Sequence, residues 1–274
     1  MNFRNVWKIY FSATGTTKKV LECIGDELVN KFSVNAMTYD FTLSDARQSF
    51  PAINAGDLVV FGVPTYAGRV PNLLLKYLDT IAGNGALAVP VVTFGNRAFD
   101  NSLIELRDIL ESHGFRTVAA AAFSCEHSFS GTLAAGRPDA DDISSAKSFA
   151  EHIYNKVSKA DFNASSYAPV KVDGDETAGY YQPKTDEGSP IDIRKAKPKT
   201  AANCTKCGTC AKVCPLGSIS SDDCSTVNGV CMKCGACVKK CPVHAKYFDD
   251  DGYLYHKEQL ERRYARRAEN RFFL

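Results

Sequence analysis

Cysteine is concentrated in the C-terminal third of this chain. Of its 11 cysteines, nine lie between positions 204 and 241 of the 274 residues. Eight of these nine form the pattern C-x2-C-x2-C-x3-C-P twice, and each cysteine of the second copy lies 27 residues after its counterpart. A constant shift at every position indicates an internal duplication. The two copies consist of Cys204, Cys207, Cys210 and Cys214, and of Cys231, Cys234, Cys237 and Cys241.

Disulfides are one use for so many cysteines, but a disulfide-stapled domain requires an oxidising compartment. The first residues, MNFRNVWKIYFSATG, lack the basic, apolar and small-residue regions of a signal peptide. We therefore expect a cytoplasmic protein with reduced thiols. In such a compartment, closely spaced cysteines indicate metal binding.

The spacing of the cysteines favours iron–sulfur clusters. Three thiolates in one tight loop can bind three irons of a cubane, and the fourth, before proline, reaches the other cluster. Zinc is the alternative, although a tetrahedral zinc site would leave the third cysteine of each loop superfluous. Cys224 lies outside the duplication, and we interpret it as a small packed residue. The predicted ligands are Cys204, Cys207, Cys210 and Cys241 for cluster one, and Cys231, Cys234, Cys237 and Cys214 for cluster two.

With these motifs, residues 201–250 resemble the bacterial ferredoxins that hold two [4Fe–4S] clusters. The resemblance implies a small α+β domain, which we place at 201–274 together with a basic C-terminal helix. Five arginines in that helix and its end could suggest a nucleic-acid surface, but one helix without an aromatic platform is weak support. We expect no nucleic-acid partner. No apolar run is long enough for a membrane span.

The first 160 residues alternate short apolar runs with amphipathic stretches. This alternation predicts a doubly wound α/β domain with a parallel sheet. Residues 161–200 lose the rhythm and hold several prolines and glycines, so we predict a linker whose Tyr180 and Tyr181 partly pack on another surface. Strands are predicted at 6–11, 35–41, 57–62, 86–95 and 115–124, and helices at 15–32, 71–82, 101–114 and 141–157.

Ligands of doubly wound sheets bind outside the carboxyl ends of the strands. After the first strand, the run Ser12 to Thr17 combines hydroxyl side chains with the start of a helix, which suits a phosphate. Ordinary N-capping is the alternative interpretation. Neither G-x-G-x-x-G nor G-x4-G-K-[ST] occurs, which disfavours a dinucleotide and a nucleoside triphosphate.

The next two loops, VPTYAGRVP and TFGNRAFD, each place an aromatic residue beside glycine and exposed backbone, which suits a flat ring. Together the three loops resemble those of flavodoxins, which implies FMN and a five-stranded sheet of order 2-1-3-4-5. By position, residues 12–17 would hold the phosphate, and Tyr66 and Phe99 would cover the two ring faces. The predicted cofactor-binding residues are Ser12, Ala13, Thr14, Gly15, Thr16, Thr17, Pro64, Thr65, Tyr66, Ala67, Gly68, Phe94, Gly95, Asn96, Arg97 and Phe99.

Two of these positions depart from common flavodoxins. Arg97 stands where those carriers tend to be acidic, and Phe99 replaces a tyrosine. A fourth loop, CEHSFSG, brings His127 within possible reach of the flavin edge, either as a proton donor or as a residue bonded within its own loop.

The whole arrangement resembles the flavodoxin–ferredoxin fusion proteins of anaerobic bacteria, and the stretches GNRAFDNSL, CEHSFSG and AAGRPDADD strengthen the likeness. It implies a low-potential carrier that passes electrons between FMN, two [4Fe–4S] clusters and redox protein partners. The alternative is an FMN-dependent reductase whose clusters supply electrons for a small substrate. The sequence leaves the donor, the acceptor and the oligomeric state open.

Overall fold

The apolar runs of the first 124 residues form parallel strands in a computed structural model, which describes residues 3–159, 168–175 and 177–274. The predicted strand at 115–124 is divided in two. Between the two places where it pairs with the adjacent strand, it holds one residue more than that strand does. Such an extra residue interrupts a ladder as a bulge does. The strands are β1 (Asn5–Tyr10), β2 (Asn35–Asp40), β3 (Asp57–Pro64), β4 (Leu87–Phe94), β5 (Arg116–Thr117) and β6 (Ala120–Ser124).

The strand order is β2-β1-β3-β4, followed by β5 and β6, which both pair with β4. This is the flavodoxin-like doubly wound order, so the predicted fold class is confirmed. In this order the chain reverses direction across the sheet between β1 and β3. The carboxyl ends of these central strands therefore form the crevice where ligands bind in such sheets.

Helices cover both faces of the sheet. α1 (Thr16–Phe32) and α4 (Ala140–Val157) pack on one face, while α2 (Leu75–Leu78) and α3 (Ser102–Ser112) pack on the other. The prediction of a helix over 71–82 was too long. The segment begins with a 3-10 turn over Asn72–Leu74, and α2 ends at Leu78. Just after α2, the Thr80 hydroxyl donates to Tyr77 O at 2.7 Å.

The apolar periodicity of α1 has its expected consequence. Val20, Leu21, Ile24 and Leu28 are fully buried on the sheet. Gly62 of β3 allows this close approach, since a Cβ atom there would lie 2.4 Å from a methyl carbon of Leu21. The amino end of α1 is thereby fixed at the carboxyl ends of β1 and β3.

The C-terminal region repeats one structural unit. α5 (Thr209–Lys212) and α6 (Ala236–Lys239) each follow a glycine in the left-handed conformation, Gly208 and Gly235. A two-stranded antiparallel ladder joins β7 (Lys199–Thr200) to β8 (Lys246–Tyr247), and α7 (Asp251–Arg263) follows. Among the helices of the described residues, none is both long and apolar enough to cross a membrane.

The chain end returns to the first half of the protein. β9 (Arg271–Phe273) pairs antiparallel with β6 and extends the parallel sheet by one strand. The apolar tip of the chain is thus an edge strand of the sheet. The ring of Phe272 lies 5.4 Å from that of Phe123 and 5.2 Å from that of Phe149, so the tip fills an apolar site on the sheet.

The arginines of the tail pair with acidic residues of other segments. Arg262 contacts Asp186, as does Arg263, whereas Arg267 donates to Asp139 across 2.6 Å. These acidic partners lie in the predicted linker and at the start of α4. The tail therefore docks on the linker and on the first half of the protein.

The described part of the linker lies against both halves. The Tyr181 N–H donates to Ala67 O at 2.8 Å, and the Tyr181 ring stacks on the Arg97 guanidinium at 4.0 Å. On the other side, the Gln259 amide of α7 donates to Lys184 O at 2.9 Å. Residues 161–167 of the predicted linker lie outside the described residues.

Candidate cofactor sites

A cavity opens at the carboxyl ends of the central strands, where the sequence analysis placed a cofactor. Four loops line it, each following one of the strands β1, β3, β4 and β6. The predicted residues among its lining are Ala13, Thr14, Thr16, Thr17, Pro64, Thr65, Tyr66, Phe94 and Gly95, and Thr93, Cys125, Glu126, His127 and Ser128 complete it. The predicted set of cofactor-binding residues did not contain the fourth loop. The position of this loop directly after a strand was the signal by which it could have been predicted.

The amino end of α1 forms one wall of this cavity. Gly15 (φ +98°) is the N-cap residue of the helix and, having no side chain, makes no side-chain cap hydrogen bond itself. Ser12 is not among the residues that line the cavity, and its Oγ accepts a hydrogen bond from Lys18 N at 3.0 Å. The first amides of α1, together with the hydroxyls of Thr14 and Thr16, therefore fit an anionic group such as a phosphate.

The second loop holds Tyr66 at the cavity and turns back directly after it. Tyr66 and Arg69 exchange backbone hydrogen bonds of 2.9 and 3.1 Å, which makes a tight turn over Ala67 and Gly68. Gly68 (φ +75°) packs on Asp100, whose carboxylate a Cβ atom would approach to 2.5 Å. These two small residues therefore shape the turn while Tyr66 faces the cavity.

The third loop is held by the chain end rather than turned into the cavity. The Asn96 amide donates to Tyr264 O and Arg266 O at 2.7 and 2.6 Å, and its oxygen accepts from Ala268 N at 3.1 Å. Its side chain is thereby committed to the tail. The tail thus fixes this loop at Asn96, and the neighbouring residues Phe94 and Gly95 line the cavity.

Two further predicted residues make contacts elsewhere. Arg97 pairs with Asp100 and stacks on Tyr181. The Phe99 ring packs on the Phe94 ring, with 5.7 Å between centroids, and belongs to the core beneath α3. Tyr66 and Phe94 thus line the cavity, and Phe99 supports Phe94 from behind.

His127 lies over Gly95, where a Cβ atom would come within 2.2 Å of the imidazole. Its Nδ1 accepts a hydrogen bond from Phe129 N at 3.1 Å, so the neutral ring carries its proton on Nε2. Burial, reinforced by the positive charges of His256, Lys239 and Arg97, lowers the pKa of His127 to about 4. At neutral pH the cavity therefore contains an uncharged imidazole.

The duplicated cysteines surround two further cavities. One is lined by Cys204, Cys207, Cys210 and Cys241, together with Cys224. The other is lined by Cys214, Cys231, Cys234 and Cys237. Each cavity thus combines three cysteines of one copy with the fourth of the other, which is the predicted crossed arrangement. In the described ranges, no three His, Cys, Asp or Glu side chains converge as they would on a single metal ion.

The surroundings of the sulfurs suit a large cationic centre. Cys214 and Cys241 accept backbone hydrogen bonds from Ser218 N and Ala245 N at 3.3 and 3.2 Å. Burial raises the pKa of the Cys234 and Cys237 thiols to about 12. Deprotonating such buried thiols requires a strong local cation, which iron bound in these cavities would supply.

The second cysteine cavity adjoins the strand-end cavity. Gly235, in the loop between Cys234 and Cys237, lies so close to Ser128 that a Cβ atom would be 2.6 Å from the Ser128 carbonyl oxygen. Cys234 is buried in the same hydrophobic cluster that Tyr66 packs against. Lys239 of α6 adds an ion pair of 2.6 Å to Glu126 across the same boundary.

Comparisons with known proteins give matches to family models and to solved structures. Models described as 4Fe-4S binding domains match residues 199–220 and 228–247. Solved structures with a similar fold include an archaeal flavodoxin (15% identity, TM-score 0.40), covering 57% of this chain and 99% of that one. Flavodoxin 1 from Bacillus cereus is similar (17%, 0.40), covering 56% and 99%.

An NADH:FMN oxidoreductase is also similar at 20% identity and a TM-score of 0.41, covering 58% of this chain and 92% of that one. The comparison with curated proteins finds no match to this sequence. Its own strand order and the two family-model matches give this chain the organisation of a flavodoxin–ferredoxin fusion.

Proposed function

We propose that this protein transfers electrons between an FMN in the strand-end cavity and two [4Fe–4S] clusters in the cysteine cavities. FMN accepts electrons in pairs and releases them singly, and each cluster carries one. FMN binding is assigned to residues 1–160 and cluster binding to the cysteine-rich part of 201–274, with 161–200 joining them. The cytoplasm is the proposed compartment.

One observation carries the proposal. The loop of Cys231, Cys234 and Cys237 packs against the wall of the strand-end cavity through Gly235 and Ser128. Two redox centres placed in these cavities would be separated by a single layer of protein. Such proximity favours exchange between the centres over independent exchange with solvent.

For FMN, the fit rests on the chemistry of the cavity wall. The amides at the start of α1 and the hydroxyls of Thr14 and Thr16 would hold the phosphate. Tyr66 would cover one face of the ring, on the side towards Cys234. His127 would present Nε2–H to the ring from the fourth loop, and Gly95 would leave room for it.

For the clusters, the proposed ligands are those that share each cavity. Cys204, Cys207, Cys210 and Cys241 would bind cluster one, and Cys214, Cys231, Cys234 and Cys237 would bind cluster two. Exposure distinguishes the two loops, because Cys207 is exposed whereas its counterpart Cys234 is buried. Cluster two would therefore exchange with the flavin, and cluster one with redox partner proteins at the surface.

The test begins with iron, zinc and flavin quantitation on one anaerobically purified sample. About eight irons and one FMN per chain are expected, since each cubane holds four irons. Rapid-mixing spectroscopy then follows flavin and cluster absorbance after a reductant is added. The two signals should change in a coupled manner. Zinc in place of iron, or no flavin, would refute the proposal.

A further inference from the structure

Cys224 occupies an unusual position relative to the duplicated cysteines. It lies between the two segments matched by the 4Fe-4S models and belongs to neither copy of the motif. It nevertheless lines the same cavity as Cys204, Cys207, Cys210 and Cys241. Only 7% of its surface is exposed, so the thiol is directed into protein rather than solvent.

Within this cavity, Cys224 is next to one particular proposed ligand. The two residues line one cavity and belong to one buried cluster, which also contains Ile219 and Cys237. A thiol that neighbours a ligand in the same cavity is close to the same cluster. It is therefore the thiol best placed to replace Cys210.

The backbone of Cys224 is fixed from two sides. Its carbonyl oxygen accepts hydrogen bonds from the Lys246 ammonium and from the Thr200 hydroxyl, the latter at 3.4 Å. Lys246 is itself buried and also donates to Thr200 Oγ1 at 2.7 Å. The thiol is thus held at the cavity by the β7–β8 ladder and is not carried there by a loose loop.

The second cysteine cavity provides an internal comparison. The residue 27 positions after Cys224 is Asp251, which begins α7, and the second cavity is lined by four cysteines only. A fifth cysteine is therefore present in only one of the two otherwise equivalent cavities. If the motif needed this cysteine for its structure, both cavities would contain one.

We propose that Cys224 is a substitute ligand of cluster one that can bind the iron held by Cys210. In the exchange, the bond between iron and the Cys210 sulfur breaks and one to the Cys224 sulfur forms. The proton of the Cys224 thiol moves to Cys210, and no electron is transferred. When Cys210 is absent, that proton passes to water. This inference rests on the proposed ligand set of cluster one.

Iron content of the full-length, anaerobically purified protein tests the inference. Cys210→Ala should retain about eight irons, because Cys224 completes the site, whereas Cys210→Ala/Cys224→Ala should retain about four. The matched control is Cys237→Ala, the same change in the second copy, which should also retain about four. Flavin content serves as the check that each variant has folded.

Two results would overturn the inference. One is a loss of iron in Cys210→Ala as large as in Cys237→Ala, and the other is equal iron in Cys210→Ala with and without Cys224. If Cys210→Ala is insoluble, Cys210→Gly and Cys210→Gly/Cys224→Ala carry the same comparison, and equal iron in that pair also overturns it. The wild-type iron count tests the proposed presence of two clusters separately, since it does not depend on Cys224.

Discussion

Gly235 rests directly on the carbonyl oxygen of Ser128, and the position has no room for a side chain. A Cβ atom there would lie 2.6 Å from that oxygen, well inside van der Waals contact. Its counterpart in the first copy, Gly208, has the same left-handed backbone (φ +75° against +74°) but nothing within 4 Å of a Cβ atom. A comparison of the two glycines therefore separates the effect of the left-handed backbone, which both share, from the effect of the close contact, which only Gly235 makes.

Gly235→Ala should disturb the boundary between the strand-end cavity, where FMN is proposed to bind, and the second cysteine cavity. Both Gly235→Ala and the control Gly208→Ala carry the cost of a left-handed alanine, about 1–2 kcal/mol. Only Gly235→Ala adds an overlap, which typically costs about 1–3 kcal/mol more. Urea unfolding should show this difference, and rapid mixing should show slower exchange between flavin and clusters in Gly235→Ala alone. Equal exchange rates in the two variants would contradict the proposed contact.

Local patterns were sufficient for the parallel sheet and for the cysteines that share each cavity. Apolar runs predicted the buried strands because buried parallel strands are apolar on both faces. The repeated spacing predicted which cysteines lie together, whereas their role as cluster ligands stays a prediction. Both signals come from residues close together in the chain.

Contacts between distant segments were not predictable in this way. Asn96 looked like a residue beside a ring, but its side chain bonds to Tyr264, Arg266 and Ala268. Nothing local to Asn96 indicates that the last residues of the chain return to the sheet. The position of Phe272 likewise depends on contacts with Phe123 and Phe149, which are distant in the sequence.

Thr14→Glu should weaken FMN binding. A carboxylate at the start of α1 would occupy the place proposed for the phosphate and repel it. We expect at least a tenfold increase in Kd, equivalent to about 1.4 kcal/mol, measured by flavin fluorescence on reconstitution of flavin-free protein. Ser112→Glu adds the same charge at the exposed carboxyl end of α3 and should leave the Kd unchanged. An unaltered Kd in Thr14→Glu would remove the phosphate assignment.

Arg137 and Asp142 form a buried ion pair that also holds the chain end. Two nitrogens of Arg137 donate to the two carboxylate oxygens at 2.9 and 2.6 Å, and a third bond of 2.8 Å reaches Ala268 O. Both side chains are almost fully buried, at 5% and 1% exposure. Removing one partner leaves the other as a buried charge without its ion pair.

Arg137→Met should therefore lower the free energy of unfolding by about 3–5 kcal/mol. The control, Arg194→Met, breaks the exposed pair with Asp192 and should leave the free energy of unfolding almost unchanged, because solvent screens an exposed pair. Urea titration of both variants gives the comparison. Similar small losses in the two variants would mean that the Asp142 charge is compensated by Asn270 and Arg267, which also donate to it.

His127 should make stability depend on pH below neutrality. Its pKa is about 4 in the folded protein, lowered chiefly by burial, against 6.5 in an unfolded chain. Between these values the unfolded state binds the proton and the folded state does not, so stability falls as the pH drops from about 6.5 to about 4 and is constant above. This group alone should cost about 1.3 kcal/mol between pH 7.5 and pH 5.5.

The His127→Gln variant should lose that share of the pH dependence. Its decrease in unfolding free energy between pH 7.5 and pH 5.5, measured by urea titration, should be about 1.3 kcal/mol smaller than that of the wild type. The control is His152→Gln on the exposed face of α4, which should keep the wild-type decrease. If His127→Gln and wild type lose the same stability, the imidazole is already charged at pH 5.5, and a neutral Nε2–H donor beside the flavin would have to be abandoned.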